Sequence, residues 1–439
     1  MNPLSDRIVR QHDKEVTQKA SNHMQRRIKA ALGGTAAIAS LALVLAGCTT
    51  PSGDGGGDAS ATFTLPDSLR DAVTGECTIE PLEGVDVEAA GDYVQPWLSA
   101  EKEIVPTALG WGPLQGTVPD GLVIGYANNM TPVGDAQWRP YIQAAAEAAG
   151  GTFVNYPTGP DPQSAQAGFD TILADAAAGK LDILVVGAVS PRTVQSQAET
   201  LLSDYPEVQV VWGADPYANR DLGLDDSIGD YGGSIVNGNV LAAAAVYYTC
   251  GAATDFTWYT TNDLEFTSVN LEAAEAFLAE LAPNATLREV VGSITSAAAT
   301  DLIIPDLQGH PESQFFVSPL DQYQIGIKDA AETAGIDNWY GIGQSSLPAN
   351  VDQIKAGAQY GGYTLDFEQF MFQLIDQGLR MYLGEWPAEG YGEDNWELIN
   401  SSMSTLITPG NVNDLDIDAT GHYTAVPDTA AKYVELWGK

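Results

Sequence analysis

Short apolar runs that alternate with helical stretches constrain the fold of this chain more than any other sequence feature. The pattern starts near Leu122, and its helical stretches end at glycines such as Gly150 and Gly179. Alternation at this spacing is typical of βαβ units, whose parallel strands are covered by helices on both faces. The first series predicts strands at 122–126, 152–156, 183–186 and 208–212, with helices at 137–149, 161–178 and 191–203.

The alternation then restarts, which predicts a second unit of the same kind. Strands are expected at 256–260, 287–291, 315–317 and 339–342, and helices at 240–248, 271–281, 297–307 and 322–334. A short helix at 351–356, an extended stretch at 360–365 and a long amphipathic helix at 367–382 follow. The predicted fold class is α/β, with two Rossmann-like lobes whose parallel sheets are joined by hinge crossings.

This pattern also predicts how the chain is divided. Lobe one is expected at 119–229 together with 366–386, and lobe two at 230–365. Residues 62–118 form an N-terminal extension of unassigned role, in which a short helix is expected near 98–107. Residues 387–439 form an acidic C-terminal tail with few periodic signals.

The N-terminal 47 residues have the three-part construction of a secretory signal. Basic residues, among them Arg27 and Lys29, precede an apolar run that ends in Leu45-Ala46-Gly47-Cys48. This ending resembles the lipobox of bacterial lipoproteins, in which the cysteine is lipidated and becomes the mature N-terminus. The alternative is a membrane-spanning helix, but that requires ~20 apolar residues and this run is shorter. We expect a signal peptide at 1–47, lipidation at Cys48 and a flexible tether at 48–61.

The strong negative charge excludes one class of partner. The chain has 58 Asp and Glu residues against 19 Lys and Arg, and a formal net charge of −39. Such a surface repels phosphate backbones, so we expect no nucleic-acid binding. It also repels anionic lipids, so attachment to the cell membrane is expected through the lipid anchor alone. After residue 47 the histidines are His310 and His422, no cluster has metal-ligand spacing, and we expect no metal and no cofactor.

The cysteines predict one disulfide. Lipidation of Cys48 leaves Cys77 and Cys250 as an even pair in an oxidising compartment. A bridge between them would join the N-terminal extension to the helix that opens lobe two. The alternative is two buried thiols without chemistry.

Several local patterns, taken in order, make residues 122–385 resemble the type I periplasmic binding proteins, the ribose-binding-like solute receptors of ABC importers. The matching segments are Ile124-Gly125-Tyr126, 182–187, 210–215, 315–319 with Asp321, and 338–344 with 354–357. Two positions depart from the pattern of the sugar-binding members. Ala273 stands where an arginine is usual, and Gln344 stands where an aspartate is common. Both departures weaken an assignment to ribose or galactose.

Ligands of open parallel sheets bind beyond the carboxyl ends of the strands, which selects the polar residues in those loops. Carboxylates and amides there suit a polyol, because each hydroxyl both donates and accepts. An aromatic side chain can stack on a sugar ring. The aspartates have an alternative role in turns or helix caps, and the arginine in surface pairing. The candidate ligand-binding residues are Asn128, Asn129, Trp138, Arg192, Asp215, Asn262, Asp321, Gln344 and Asp366.

The resemblance implies a lipid-anchored, extracytoplasmic solute-binding protein that is not an enzyme. It would close two lobes on a small polar solute, a sugar or polyol, and deliver it as a monomer to an ABC permease. Two alternatives stay open: an envelope enzyme that acts on glycosides, and a chemosensory receptor with the same fold. The chain lacks G-x-S-x-G, H-E-x-x-H and P-loop motifs. The lipobox and the lack of a basic helix-turn-helix exclude a LacI-type regulator.

Overall fold

The structure, a computed structural model, describes residues 69–70, 75–99, 101–128, 132–159, 161–262, 264–293, 299–313, 315–337 and 339–439. They all belong to one compact unit, Ala61–Lys439. The predicted signal peptide, the lipidation site Cys48, the tether and Asn129 lie outside the described residues.

The N-terminal extension contains two helices, α1 (Val87–Leu98) and α2 (Val105–Ala108). The prediction of a helix near 98–107 is wrong, because α1 ends at Leu98 and α2 begins only at Val105. Helix α1 begins after Asp86, whose side chain accepts a hydrogen bond from the backbone N–H of Ala89. It ends at Ser99, where the backbone becomes extended.

Lobe one contains a four-stranded parallel sheet in the order β2-β1-β3-β4. Alternate residues of β3 face different cores, as the two-residue period of a strand requires. Ile183 and Val185 pack in one apolar cluster, and Leu184 and Val186 pack in another. Both faces of the sheet are therefore buried. The elements are β1 (Val123–Asn128), α3 (Pro132–Ala148), β2 (Thr152–Pro157), α4 (Pro162–Ala177), β3 (Ile183–Gly187), α5 (Gln195–Asp204), β4 (Gln209–Gly213) and α6 (Ala218–Leu222).

Lobe two repeats this arrangement with a parallel sheet in the order β6-β5-β7-β8. Its opening helix α7 (Tyr231–Tyr248) is apolar on nearly all sides and is buried along most of its length. Phe315 on β7 faces the α7 core, and Phe316 faces the opposite core. The further elements are β5 (Asp255–Thr261), α8 (Phe266–Leu281), β6 (Thr286–Gly292), α9 (Thr300–Gly309), β7 (Phe315–Ser318), α10 (Ile327–Ala334), β8 (Gly341–Gly343) and α11 (Pro348–Lys355). The predicted α/β class with two parallel-sheet lobes is confirmed.

The chain then returns to lobe one through β9 (Gly362–Leu365) and α12 (Phe367–Leu383). The region after it, where the sequence shows few periodic signals, has regular structure. It contains α13 (Trp396–Met403), β10 (Ser404–Ile407) and α14 (Thr429–Leu436). Strand β10 pairs antiparallel with β9, and α14 packs on α12 through Tyr433 and Trp437, which both contact Phe372.

The extension is attached to both lobes. A disulfide joins Cys77 to Cys250 at the end of α7, across a sequence separation of 173 residues. Farther along, the backbone N–H of Val105 donates to Gln369 on α12, at 3.0 Å. The backbone N–H of Leu114 donates to the carbonyl of Leu436 on α14, at 2.8 Å. The segment from Cys77 to Leu114 therefore runs from lobe two to lobe one.

Candidate ligand-binding site

The two lobes touch through loops at the carboxyl ends of their sheets. Ser190 and Arg192 follow β3 in lobe one, and Glu265 follows β5 in lobe two. The hydroxyl of Ser190 donates to Oε1 of Glu265 at 3.3 Å, and Nη1 of Arg192 donates to Oε2 at 3.3 Å. These contacts place the carboxyl ends of the two parallel sheets opposite each other, where ligands of open α/β sheets bind.

Strained turns follow three strands at these carboxyl ends of the sheets. Ala188 directly follows β3 with φ 57°, and Ala214 directly follows β4 with φ 57°. Ser345 lies two residues after β8 with φ 61°. A side chain in this left-handed region costs about 1–2 kcal/mol per residue, and such conformations cluster at binding sites. The loops that leave β3, β4 and β8 are thus held in unfavourable backbone conformations at the interlobe edge.

Asp215 is the candidate whose geometry suits a ligand best. It lies in the turn after β4 and is 5% exposed. The backbone N–H groups of Tyr217 and Ala218 both donate to its Oδ1, at 2.9 and 3.0 Å. Within the described residues no hydrogen bond reaches Oδ2. Burial raises the pKa of Asp215 to about 7, and the negative charge of Glu265 acts in the same direction. A carboxyl group that titrates near neutrality can both donate to and accept from a hydroxyl.

Asp321 was expected to face a ligand from lobe two, but the structure uses both of its oxygens internally. It is fully buried after β7. Its Oδ1 accepts from Nε2 of Gln324 at 2.8 Å, and its Oδ2 accepts from the hydroxyl of Ser346. Its carbonyl accepts from Asn350 at 2.8 Å. Burial raises the pKa of Asp321 well above its ordinary value. Asp321 therefore ties the loop after β7 to the loop after β8 and to α11.

Asp366 has a capping role in place of the expected ligand contact. It is 1% exposed and directly precedes α12. Its Oδ1 accepts from the backbone N–H of Gln369 at 2.8 Å, which is the geometry of a helix N-cap. Its Oδ2 accepts from the backbone N–H of Ala425 at 2.7 Å, which ties the tail to this helix.

Trp138 lies in the core of lobe one and not on an open ring-stacking surface. It is 9% exposed, and its ring lies 5.4 Å from that of Phe367 and 5.6 Å from that of Phe370, between centroids. Both phenylalanines belong to α12, which packs against α3. The structure assigns Trp138 to interhelical packing.

The candidate asparagine and glutamine side chains differ in how deeply they are buried. Asn128, at the end of β1, is buried and donates to Asp135 at 3.0 Å. Gln344 is buried after β8; its amide donates to the carbonyl of Pro319 at 3.1 Å, and its oxygen accepts from Asn237 on α7 at 3.3 Å. Asn262 lies in the exposed turn after β5. The structure therefore places these amides at the ends of three different strands, with two of them buried and hydrogen-bonded within the protein.

Arg192 is engaged with protein carboxylates. Its Nε donates to Asp221 at 2.9 Å, in addition to the contact with Glu265. Its guanidinium lies 4.2 Å from the centroid of the Tyr217 ring, within the range of a cation–π contact. Arg192 therefore has the alternative role given in the sequence analysis, pairing with carboxylates at the protein surface.

Sequence reasoning missed Glu265 and the buried Asp230. Glu265 directly precedes α8, and the polar residues selected after β5 stopped short of it. Asp230 caps α7, accepting from the backbone N–H of Gly233 at 3.1 Å, and burial raises the pKa of Asp230 to about 7. An acidic residue at the start of a helix is the signal that could have found both residues.

No group of three or more His, Cys, Asp or Glu side chains in the described part of the chain could hold a metal ion. None of the helices described has the length and apolar composition needed to cross a lipid bilayer.

Comparison with solved structures identifies the architecture. A solute-binding protein of an ABC transporter from Mycobacterium smegmatis, with bound glycerol, aligns with a TM-score of 0.55 at 16% identity, over 69% of this chain and 99% of its own. The Caulobacter myo-inositol binding protein, bound to myo-inositol, aligns with a TM-score of 0.52 at 15% identity, over 68% and 98%. The chain has the fold of the type I periplasmic sugar-binding proteins. No family model matches the sequence, and no curated protein does.

This type I fold also occurs in another functional class. A putative LacI transcriptional regulator from Bacteroides fragilis aligns with a TM-score of 0.53 at 11% identity, over 68% of this chain and all of its own. At such identities the likeness establishes the fold alone, so the function has to be argued from the site.

Proposed function

We propose that this protein is a lipid-anchored, extracytoplasmic solute-binding protein of an ABC importer. It binds a small neutral polyol or sugar in the cleft between its two lobes and presents it, as a monomer, to an ABC permease. The observation that carries the proposal is Asp215, a buried carboxyl group with one unused oxygen at the interlobe edge of a type I fold.

The charges around this edge favour a neutral ligand over an anionic one. Asp215, Asp221 and Glu265 contribute acidic groups, and Arg192 is already paired with the last two. An incoming phosphate or carboxylate would meet the carboxylates of Asp221 and Glu265, and the guanidinium beside them is already paired with both. Hydroxyl groups satisfy buried carboxyl oxygens without adding charge, which fits the ligands of the glycerol-bound and inositol-bound structures.

A binding screen tests the ligand class. The purified protein is titrated with glycerol, D-arabinose, D-allose and myo-inositol, and with their phosphate esters, by thermal shift and calorimetry. At least one neutral compound should raise the melting temperature, because a ligand that binds the folded state alone stabilises it. Its phosphate ester should bind at least about tenfold more weakly. Binding of the phosphate esters alone would contradict the neutral-ligand proposal.

Fractionation tests the anchor and the location. Cys48→Ser should release the protein from the membrane fraction, because the lipid has no other attachment point. A Thr49→Ser variant serves as the control, since it changes the neighbouring residue and keeps the cysteine. A Cys48→Ser protein that stays in the membrane fraction would favour a helical anchor.

Uptake tests the importer context. A strain that lacks this protein should lose high-affinity uptake of the ligand found in the screen. Unchanged uptake would favour the chemosensory alternative.

A further inference from the structure

The two lobes are joined at the mouth of the cleft by a small polar cluster. Glu265 of lobe two uses both carboxylate oxygens toward lobe one, Oε1 for Ser190 and Oε2 for Arg192, each at 3.3 Å. Arg192 is itself held in lobe one by Asp221 at 2.9 Å and by the Tyr217 ring. The guanidinium is therefore fixed in the position from which it reaches across to Glu265.

We propose that Arg192 and Glu265 are positioning residues that hold the lobes closed at the cleft mouth and thereby set how long a bound ligand stays. The inference rests on the proposed function for its ligand, but the closure contact itself lies between residues of this chain. In a two-lobe receptor the closed state retains the ligand, so a contact made only on closure slows dissociation.

Arg192 can hold the lobes closed because acidic side chains of both lobes surround it. Asp215, Asp221, Glu265 and Glu272 all lie near enough to act electrostatically on Arg192, Tyr217 or one another. Glu265 and Glu272 belong to lobe two, and Asp215 and Asp221 to lobe one. Without a cation between them, the carboxylates of the two lobes repel each other when the cleft closes. Arg192 changes that repulsion into attraction.

The expected strength of the Arg192–Glu265 contact follows from the solvent exposure of the two side chains. The Arg192 side chain is 52% exposed and the Glu265 side chain 30% exposed, so water screens the pair. Exposed ion pairs shift an equilibrium by about two- to fivefold. We therefore expect a change of this size in the ratio of closed to open protein and in the ligand dissociation rate.

Interlobe distances test the closure without any ligand. Spin labels are placed at Glu199→Cys on α5 and Asp329→Cys on α10, two exposed positions in different lobes. The full chain carries Cys48→Ser, so that the labels occupy its unpaired thiols. Glu265→Gln and Arg192→Gln should each shift the distance distribution toward the open state by about two- to fivefold. The double variant should shift it no further than either single variant, because both remove the same contact.

A matched control separates this contact from a general charge effect. Arg139 is 43% exposed and pairs with Asp135 within α3, at 3.1 Å. Arg139→Gln changes the net charge as Arg192→Gln does, but removes no interlobe contact, and should leave the distances unchanged. The ligand dissociation rate, measured by stopped flow, should rise in the two cleft variants and not in this control.

The outcomes distinguish this inference from the proposed function. Unchanged distances in Glu265→Gln, or a shift toward the closed state, would overturn the positioning role whatever ligand binds. Additive effects in the double variant would also overturn it. A distance shift in a protein to which no polyol binds would leave the closure contact standing and would count against the polyol-binding function.

Discussion

The two lobes share one strand order, yet they use the carboxyl groups at their facing edges in different ways. In lobe one, Asp215 is buried after β4 with both of its hydrogen bonds on Oδ1. In lobe two, Asp321 is buried after β7 with Gln324 on one oxygen and Ser346 on the other. The two aspartates are similarly buried, but they differ in how many carboxyl oxygens already accept a hydrogen bond. A carboxyl group with an unused oxygen is equipped to bind a ligand, and a saturated one is equipped to hold loops together.

The lobes also differ in how the extra segments are attached. Lobe two holds the N-terminal extension by a covalent bond at Cys250, and lobe one holds the tail by packing of α14 on α12. The first attachment restricts the unfolded chain, and the second depends on apolar burial in the folded state. The largest effect in the comparison of the lobes is therefore expected from the disulfide.

Removal of the disulfide should cost the most stability. Replacing Cys77 and Cys250 by Ser opens a loop with a sequence separation of 173 residues. The chain-entropy model gives about 5 kcal/mol for such a loop, which denaturant unfolding can measure. Adding reductant to the wild-type protein should reproduce the loss. A loss below about 1 kcal/mol would show that packing alone holds the extension on lobe two.

Truncation of Asp321 should cost stability next. In Asp321→Ala the hydroxyl of Ser346 loses its acceptor, and the amide of Gln324 loses one of its two acceptors and keeps Ser318. A buried donor left unsatisfied costs about 1–3 kcal/mol, so we expect a loss of about that size in the free energy of unfolding. Asp329→Ala on the exposed side of α10 is the control and should change it by less than about 0.5 kcal/mol. A stable Asp321→Ala protein with weakened ligand binding would reverse the assignment of the two aspartates.

The pH dependence of stability tests the protonation of the buried carboxyl groups. Burial raises the pKa values of Asp215, Asp230 and Asp366 to about 7, so the folded protein keeps protons that the unfolded chain releases above about pH 4. The stability from these groups is complete below the unfolded pKa and is lost as the pH rises through the folded pKa. The free energy of unfolding should therefore fall between pH 4 and pH 7.

Asp366→Asn tests the origin of that slope. The amide oxygen of Asn can still cap α12, but the side chain no longer titrates. Between pH 4 and pH 7 the free energy of unfolding should then fall less steeply than in the wild type, by about 1.4 kcal/mol per pH unit. A profile that rises with pH, or one that Asp366→Asn leaves unchanged, would contradict the raised pKa.

The fold was predictable because buried parallel strands appear in the sequence as short, continuous apolar runs, such as Ile183–Gly187. The extension and the tail were not, because their elements depend on partners far along the chain. Trp437 of the tail stacks on Phe372 of α12, and α1 packs on α7. Periodicity within a segment does not reveal such contacts.

The site was predictable only as a set of loops. The rule of the strand ends selected Asp215 and Asp321 together, since both follow a strand. What distinguishes them is the position of Ser346, which only the folded chain brings to Asp321. Trp138 was selected because an aromatic ring can stack on a sugar, and it packs against Phe367, which comes from the helix that crosses back into lobe one. Local sequence identifies the candidates, and long-range packing decides which of them remain open.

Ligand affinity in Asp215→Asn, compared with Asp321→Asn, tests the account most directly. Calorimetric titration with the polyol found in the screen should show a loss of about ten- to a hundredfold for Asp215→Asn, because a hydrogen bond to a charged group is lost. The melting temperature of the unliganded protein should change little. Asp321→Asn should lower that melting temperature and leave the affinity of the folded protein within about threefold of wild type. The reverse result, with affinity lost in Asp321→Asn and retained in Asp215→Asn, would contradict the account.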